Sequence, residues 1–217
     1  MAACLRGQDE IIRTLLIRGA NPDIVDRTGR TVLHKMAAEA SPAFEWRSDT
    51  LTLILSRVKD LKQRDYEGRT PLLWAAVNGQ LQLAGALLRC KGENGVHVNQ
   101  TNDQGHSPLH LAAKHDKPAM IKLLLLSGAN MEARRDGGWT PLLVAAAAGS
   151  ESAIDALLAH GANVNAWTSA GMTALHWAAE NGKLAAVQRL LRVQNICKNG
   201  KNSFDCTPLI HAAQNGH

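Results

Sequence analysis

The chain has 217 residues, 45% of them hydrophobic and only 4% aromatic, and a formal net charge of +5. No apolar run approaches the ~20 residues that a membrane-spanning helix needs, and residues 1–10 lack the apolar stretch of a secretory signal; we therefore expect an intracellular protein, cytoplasmic or nuclear, without a membrane segment. The four cysteines form no CxxC pair, which argues against a disulfide scaffold and against a cysteine-bound metal.

One short phrase recurs along the chain and marks the first helix of a repeat. A Thr or Ser is followed by Pro, Val or Ala and then by Leu, in six copies spaced 39, 37, 33, 33 and 34 residues apart. The hydroxyl residues of these copies are Thr31, Thr70, Ser107, Thr140, Thr173 and Thr207. Gly stands two positions before five of these residues, and Asp205 takes that place before the sixth. Two alanines stand five and six positions after five of the six hydroxyl residues. Agreement at several offsets predicts a repeat architecture.

Each repeat is predicted to form two helices. The hydroxyl residue suits the N-cap of the first helix, and Pro is well tolerated at the next position. A glycine at one fixed offset is predicted to end the first helix in four repeats, at Gly79, Gly149, Gly182 and Gly216. The second helix carries paired leucines and stops at a Gly-Ala-Asn phrase, after which a segment rich in Asn, Asp and Gly suits a β-turn.

The repeats fill the whole chain as one domain, 1–217. Their approximate bounds are 1–25, 26–64, 65–101, 102–134, 135–167, 168–201 and 202–217. The first begins and the last stops inside a repeat, so we expect an excerpt from a longer array. Extra residues around 40–49 and 90–94 are predicted to lengthen loops, where the entropic cost of added length is small.

A period near 33 with the phrases Ser107-Pro-Leu-His-Leu-Ala-Ala113 and Gly161-Ala-Asn-Val-Asn-Ala166 resembles the ankyrin repeat family. The resemblance covers essentially the whole chain. It implies an all-α fold, an ankyrin-repeat solenoid of antiparallel helix pairs joined by β-turn loops. It also implies that partners contact the turn tips and the first helices, which form a concave surface. The partner-binding residues it implies here are Arg27, Arg30, Tyr66, Arg69, Trp74, His106, Lys114, His115, Trp139, Met172 and Trp177.

The tryptophans allow two interpretations. Trp is enriched among interface hot spots, but at the fourth helix position Trp74 and Trp177 equally suit packing against the next repeat. Trp139 follows Gly138 and projects from a turn, which favours binding. For Trp46, within the insertion, the sequence does not decide between packing and binding.

Catalytic, metal and cofactor sites are not expected. His34, His110 and His176 occupy the repeated phrase, which indicates a structural hydrogen-bonding role, and no HExxH motif is present. The sequence contains no phosphate-binding glycine loop and no nucleophile elbow.

These patterns predict a non-catalytic protein–protein interaction scaffold, monomeric and without a cofactor, that is part of a larger protein. An alternative is nucleotide or nucleic-acid binding, with Arg27, Arg30 and Arg69 on phosphate and Tyr66 or Trp74 stacking on bases. Because the positive charge is spread evenly rather than clustered, a protein partner is preferred. The fold does not name that partner.

Overall fold

The computed structural model of the chain describes residues 2–39, 46–90, 92 and 94–217, and for 2–8 and 39 it describes the backbone alone. In these residues every regular element is helical, which confirms the predicted all-α class. The α-helices are α1 (Ala2–Ile17), α2 (Val32–Glu39), α3 (Ser48–Arg57), α4 (Pro71–Asn78), α5 (Leu81–Arg89), α6 (Pro108–Lys114), α7 (Pro118–Leu126), α8 (Pro141–Ala148), α9 (Glu151–Ala159), α10 (Ala174–Glu180), α11 (Leu184–Leu190) and α12 (Pro208–Gln214).

The helices form two compact units, residues 1–103 and 104–217. In the first unit α1 packs on α3, α2 on α4, and α5 on both α3 and α4. In the second unit the first helices of successive repeats stack in the order α6, α8, α10 and α12, while the second helices stack in the order α7, α9 and α11. The repeat bounds themselves stay a prediction.

Four of the six predicted helix caps are confirmed by a side-chain hydrogen bond. The side chain of Thr70 accepts a hydrogen bond from the Leu73 backbone N–H, and Ser107, Thr140 and Thr207 cap their helices in the same way. Pro follows each of these four caps, where its missing N–H costs nothing. At the other end of α8, Gly149 has a φ of 77°, which a glycine adopts without strain.

The Ala pairs form the faces on which first helices stack. Ala112 and Ala113 of α6, and Ala145 and Ala146 of α8, are completely buried. Small side chains let neighbouring helix backbones approach closely. In the second helices, Leu87, Leu124 and Leu157 are likewise fully buried, whereas the leucine after each is partly exposed. The narrow Ala face and the single buried Leu therefore set the repeat packing.

The three histidines of the repeated phrase have the predicted structural role. His34 Nδ1 accepts from the Thr31 N–H at 3.1 Å, and its Nε2 lies 3.0 Å from the Arg69 carbonyl of the next repeat. In the same way, His110 Nδ1 accepts from the Ser107 N–H and its Nε2 lies beside the Trp139 carbonyl. His176 Nδ1 accepts from the Thr173 N–H and its Nε2 lies beside the Cys206 carbonyl. Because Nδ1 accepts, the proton lies on Nε2, and the ring is held neutral.

Two regions differ from the regular repeat. Residues 2–17 form one helix through Gly7, where a helix pair is expected; continued backbone hydrogen bonding offsets the ~1 kcal/mol that an interior glycine costs. In the insertion, residues 40–45 lie outside the described residues, but Trp46 is buried. Trp46 is therefore a packing residue. Of the extra residues around 90–94, residues 91 and 93 also lie outside the described residues.

Candidate interaction surface

The structure exposes most of the side chains that the sequence assigns to partner binding. Arg27, Tyr66, Lys114 and His115 are exposed, Tyr66 at 76%. The partly exposed ones are Arg30, Arg69, Trp74, Trp139 and Trp177.

His106 and Met172 do not fit the prediction. Met172 is only 4% exposed, and its sulfur accepts a hydrogen bond from Asn202 Nδ2 at 3.1 Å. His106 is 8% exposed, and its ring stands edge-on to His110, with ring centroids 6.1 Å apart. Both residues stand one position before the hydroxyl cap, and in these two copies the side chain at that position is buried, that of Met172 against Asn202 of the next repeat. We therefore leave them out of the candidate surface.

In the first unit, Arg30, Asp65, Glu67, Arg69 and Trp74 form what we call the closed cluster. The guanidinium carbons of Arg30 and Arg69 lie 4.3 and 4.6 Å from the centroid of the Trp74 ring, within cation–π distance. Trp74 Nε1 donates to Asp65 Oδ2 at 2.8 Å, and Arg30 Nε donates to the same oxygen at 3.4 Å. Arg69 pairs with Glu67 at 2.9 Å.

The closed cluster satisfies its own charges. Burial alone would raise the pKa of the Asp65 carboxyl, but hydrogen bonds from Trp74 and from the Arg69 and Glu67 backbone N–H groups hold that pKa below its ordinary value. Asp65 is thus an anion that accepts from Trp74, Arg30 and two backbone N–H groups. Each arginine has a carboxylate within ion-pair distance, although Arg69 Nε has no hydrogen-bond partner among the described residues. For Trp74, the geometry supports packing, but against Arg30 of the preceding repeat and not against the next repeat.

In the second unit, Arg135, Trp139 and Trp177 form what we call the open stack. The rings of Trp139 and Trp177 are 4.4 Å apart at 35°, and the Arg135 guanidinium lies 4.8 Å from the Trp139 ring centroid. Trp139 comes from the turn before α8 and Trp177 from α10, so the stack joins a turn tip to the first helix of the next repeat. Two partly exposed indoles and an arginine side by side are an interface composition.

The turn that carries the open stack is held on both sides. Arg135 and Trp139 pair as an antiparallel bridge, with the Arg135 N–H donating to the Trp139 carbonyl at 3.0 Å. Gly137 accepts from the Ser169 N–H at 2.8 Å, and Arg134 Nη1 donates to the Trp167 carbonyl at 2.9 Å. The tip is therefore fixed to the following turn, which lowers the entropy that binding would otherwise cost.

Polar atoms of the open stack lack internal partners. Arg135 Nε and Trp177 Nε1 are both buried, with no hydrogen-bond acceptor among the described residues. Burial lowers the pKa of the Arg135 guanidinium, although the charge of Asp136 opposes this. Unlike the closed cluster, the open stack holds no carboxylate of its own.

Arg135 is the residue that sequence reasoning missed. It stands five positions before Thr140, outside the offsets that the resemblance assigns to partners. A signal for it exists, because four other repeats have Asp or Asn at that offset, namely Asp26, Asp65, Asn102 and Asn202. The side chains of Asp26, Asp65 and Asn202 accept hydrogen bonds from backbone N–H groups of their own turn. An arginine cannot do this, so its guanidinium is available for another contact.

Across the described residues, no group of three or more His, Cys, Asp or Glu side chains is arranged to hold a metal ion. No described helix is both long and apolar enough to cross a membrane.

Comparison with known proteins identifies the repeat. The chain matches the family described as "Ankyrin repeats" in three copies, at residues 1–102, 94–168 and 167–217. It is 36% identical over 126 residues to the B-cell lymphoma 3 protein homolog of Mus musculus, a match that covers 57% of this chain and 27% of that protein. It is 37% identical over 121 residues to the neurogenic locus notch homolog protein 2 of Homo sapiens, covering 55% of this chain and 4% of that protein. The matches thus span a minor part of these relatives.

Among solved structures, the chain is similar to the crystal structure of the ankyrin repeat domain of Bcl-3, described as a unique member of the IkappaB protein family. The TM-score is 0.74 at 28% sequence identity, and the match covers 96% of this chain and 89% of that one. The similarity extends over both compact units.

Proposed function

Because the chain belongs to the ankyrin repeat family, we propose that it is a non-catalytic scaffold that binds a protein partner through its turn tips and first helices. The family and its relatives support an interaction domain. The binding surface proposed for the second unit is centred on the open stack, with Lys114 and His115 of the α6 end as further exposed contacts.

The observation that carries this proposal is the partial exposure of Trp139, on a fixed turn tip, and of Trp177, beside it on the first helix α10. Trp and Arg are enriched among residues whose truncation costs ~2 kcal/mol or more of binding. A rigid indole also loses little conformational entropy when a partner covers it. In the first unit, Arg27 and Tyr66 are the exposed tip residues that we propose as partner contacts.

Nucleic-acid binding, the alternative from the sequence, gains no support. Two of its three arginines, Arg30 and Arg69, are already paired with Asp65 and Glu67. Of these three arginines, Arg27 alone is exposed. A phosphate would have to break the closed cluster to reach the other two.

Site-specific photo-crosslinking tests the proposal. A photoreactive amino acid replaces Asp136, which is exposed beside the open stack, and in a matched variant it replaces Lys122, which is exposed on the second helix α7. Both full chains are irradiated in extract of the source cell. We expect a protein that cross-links to position 136 and not to position 122, and whose yield drops when Trp139→Ala is added.

Equal cross-linking from both positions would contradict the proposed surface. Recovery of nucleic acid instead of protein at position 136 would contradict the proposed partner class. Monomeric state and cytoplasmic or nuclear location stay predictions, which light scattering and localisation of the tagged chain would check.

A further inference from the structure

We propose that the open stack binds an acidic segment of the protein partner, in which an Asp or Glu carboxylate pairs with Arg135 and an adjacent apolar side chain packs on Trp139. This inference rests on the proposed function, since it names the chemistry of the partner at the same surface.

The closed cluster provides the internal comparison. Trp74 and Trp177 stand at the same register, four positions after Thr70 and Thr173. Trp74 Nε1 has an acceptor, because Asp65 stands five positions before Thr70 and lies 2.8 Å away. The same fold position is therefore built to satisfy an indole N–H with a carboxylate.

In the open stack that carboxylate is missing. The residue five positions before Thr173 is Thr168, and its buried Oγ1, like Trp177 Nε1, has no hydrogen-bond partner among the described residues. Trp139 occupies the register of Arg30, since each stands one position before the hydroxyl cap of the preceding repeat. Compared with the closed cluster, the open stack therefore has the Trp139 ring in the place of the Arg30 guanidinium. It has the Thr168 hydroxyl in the place of the Asp65 carboxylate.

Arg135 has no ion-pair partner of its own, although the charge of the neighbouring Asp136 acts on it. Other partly buried arginines have carboxylates within ion-pair distance: Arg30 has Asp65, Arg69 has Glu67, and Arg189 has Glu151. For Arg135, no carboxylate lies that close in the part of the chain that the structure describes, although Asp136 is its neighbour. A partly buried cation without a counter-charge is stabilised when a partner brings one.

The Arg135 guanidinium and the two indole rings indicate which side chains of a partner would fit the open stack. Arginine pairs best with a planar group that accepts two hydrogen bonds, such as a carboxylate. The exposed parts of the Trp139 and Trp177 rings favour an apolar neighbour rather than a second charge. The net charge of +5 adds a general attraction for an acidic partner. A segment that alternates acidic and apolar side chains meets all three requirements.

Short fluorescein-labelled peptides test this directly by fluorescence anisotropy with the full chain. One set carries Leu or Phe beside Asp or Glu; matched sets have Asn or Gln, or Lys, in place of the acid. We expect acidic peptides to bind about tenfold more tightly than their amide counterparts at low salt. Arg135→Gln should abolish this preference while keeping the aliphatic stem over Trp139.

Arg192→Gln is the matched control. It removes one positive charge from the same unit at an exposed residue outside the stack, and it should leave the preference intact. Circular dichroism of both variants checks that they fold.

The inference is overturned if acidic and amide peptides bind equally, if none binds, or if Arg192→Gln reduces the preference as much as Arg135→Gln. It is also overturned if a single-stranded oligonucleotide binds in an Arg135-dependent way and the acidic peptides do not. These outcomes are separate from the cross-linking test. A protein cross-linked at position 136 without acidic preference would sustain the proposed function and reject only the chemistry assigned to its partner.

Discussion

Trp74 and Trp177 occupy one register, yet their neighbours decide whether each ring serves packing or recognition. Asp65 gives Trp74 an acceptor and holds Arg30 over its ring. The Trp177 ring instead stacks on Trp139, and its indole N–H has no hydrogen-bond acceptor among the described residues. A single residue five positions before the cap therefore separates a structural site from a candidate binding site.

Replacing Asp65 with Ala should destabilise the chain by about 3 kcal/mol, because it leaves the Trp74 indole N–H without its acceptor and removes the nearer of the two carboxylates that pair with Arg30. It also removes the acceptor of the Glu67 and Arg69 backbone N–H groups. Urea unfolding of the variant measures the loss.

The control for this variant is Asp103→Ala. Asp103 pairs with Arg64 at 2.8 Å, but its side chain is 65% exposed. Because exposed ion pairs contribute about 1 kcal/mol or less, this variant should unfold close to wild type. Equal losses for the two aspartates would contradict the role assigned to the closed cluster.

At the scale of helices, histidines and Ala faces join one repeat to the next. Each histidine of the repeated phrase accepts from its own cap and donates to a carbonyl beside the following cap. The Ala pairs bring the same helices into contact. Cooperativity between neighbouring repeats follows from these two kinds of contact.

Acid should weaken the junctions between repeats. Burial lowers the pKa of His34, His110 and His176 below the ordinary value of about 6.5. The unfolded chain then binds more protons than the folded chain, so stability is complete above about pH 6.5 and is lost as the pH falls below it. Urea midpoints at about pH 7.5 and about pH 5.5 should differ in that direction.

His110→Gln tests the cause of the acid effect. Removing one of the three titrating rings should make the chain less stable at neutral pH but reduce the pH dependence. A midpoint that rises in acid, or a variant with undiminished pH dependence, would contradict this account.

The Ala faces leave no room for larger side chains. Ala146→Leu places added volume between first helices at a fully buried position, and we expect a loss of about 1–3 kcal/mol. Ala148→Leu, at an exposed position of the same helix, should change stability by less than about 0.5 kcal/mol. Thermal melts of the pair decide whether α8 packs as described; equal effects would show that it does not.

For the whole molecule, the sequence predicted the features that depend on local pattern. Caps such as Thr140, histidines such as His110 and the Ala pairs repeat at fixed offsets because every repeat needs them. The side chains that differ between repeats were harder to place. Met172 and His106 share a register with the partly exposed Arg69 and Trp139, yet both are buried, Met172 against Asn202 of the next repeat and His106 beside His110. Arg135 likewise gains its importance only from Trp139.

The affinity of the protein cross-linked at position 136 for two tryptophan variants tests the proposed surface most directly. Trp139→Ala should weaken binding by about 2 kcal/mol or more, roughly thirtyfold. Trp167→Ala removes an indole that is 56% exposed in the same unit but outside the open stack, and it should change affinity much less. Unchanged binding by Trp139→Ala, or equal losses for both variants, would contradict a partner site centred on the open stack.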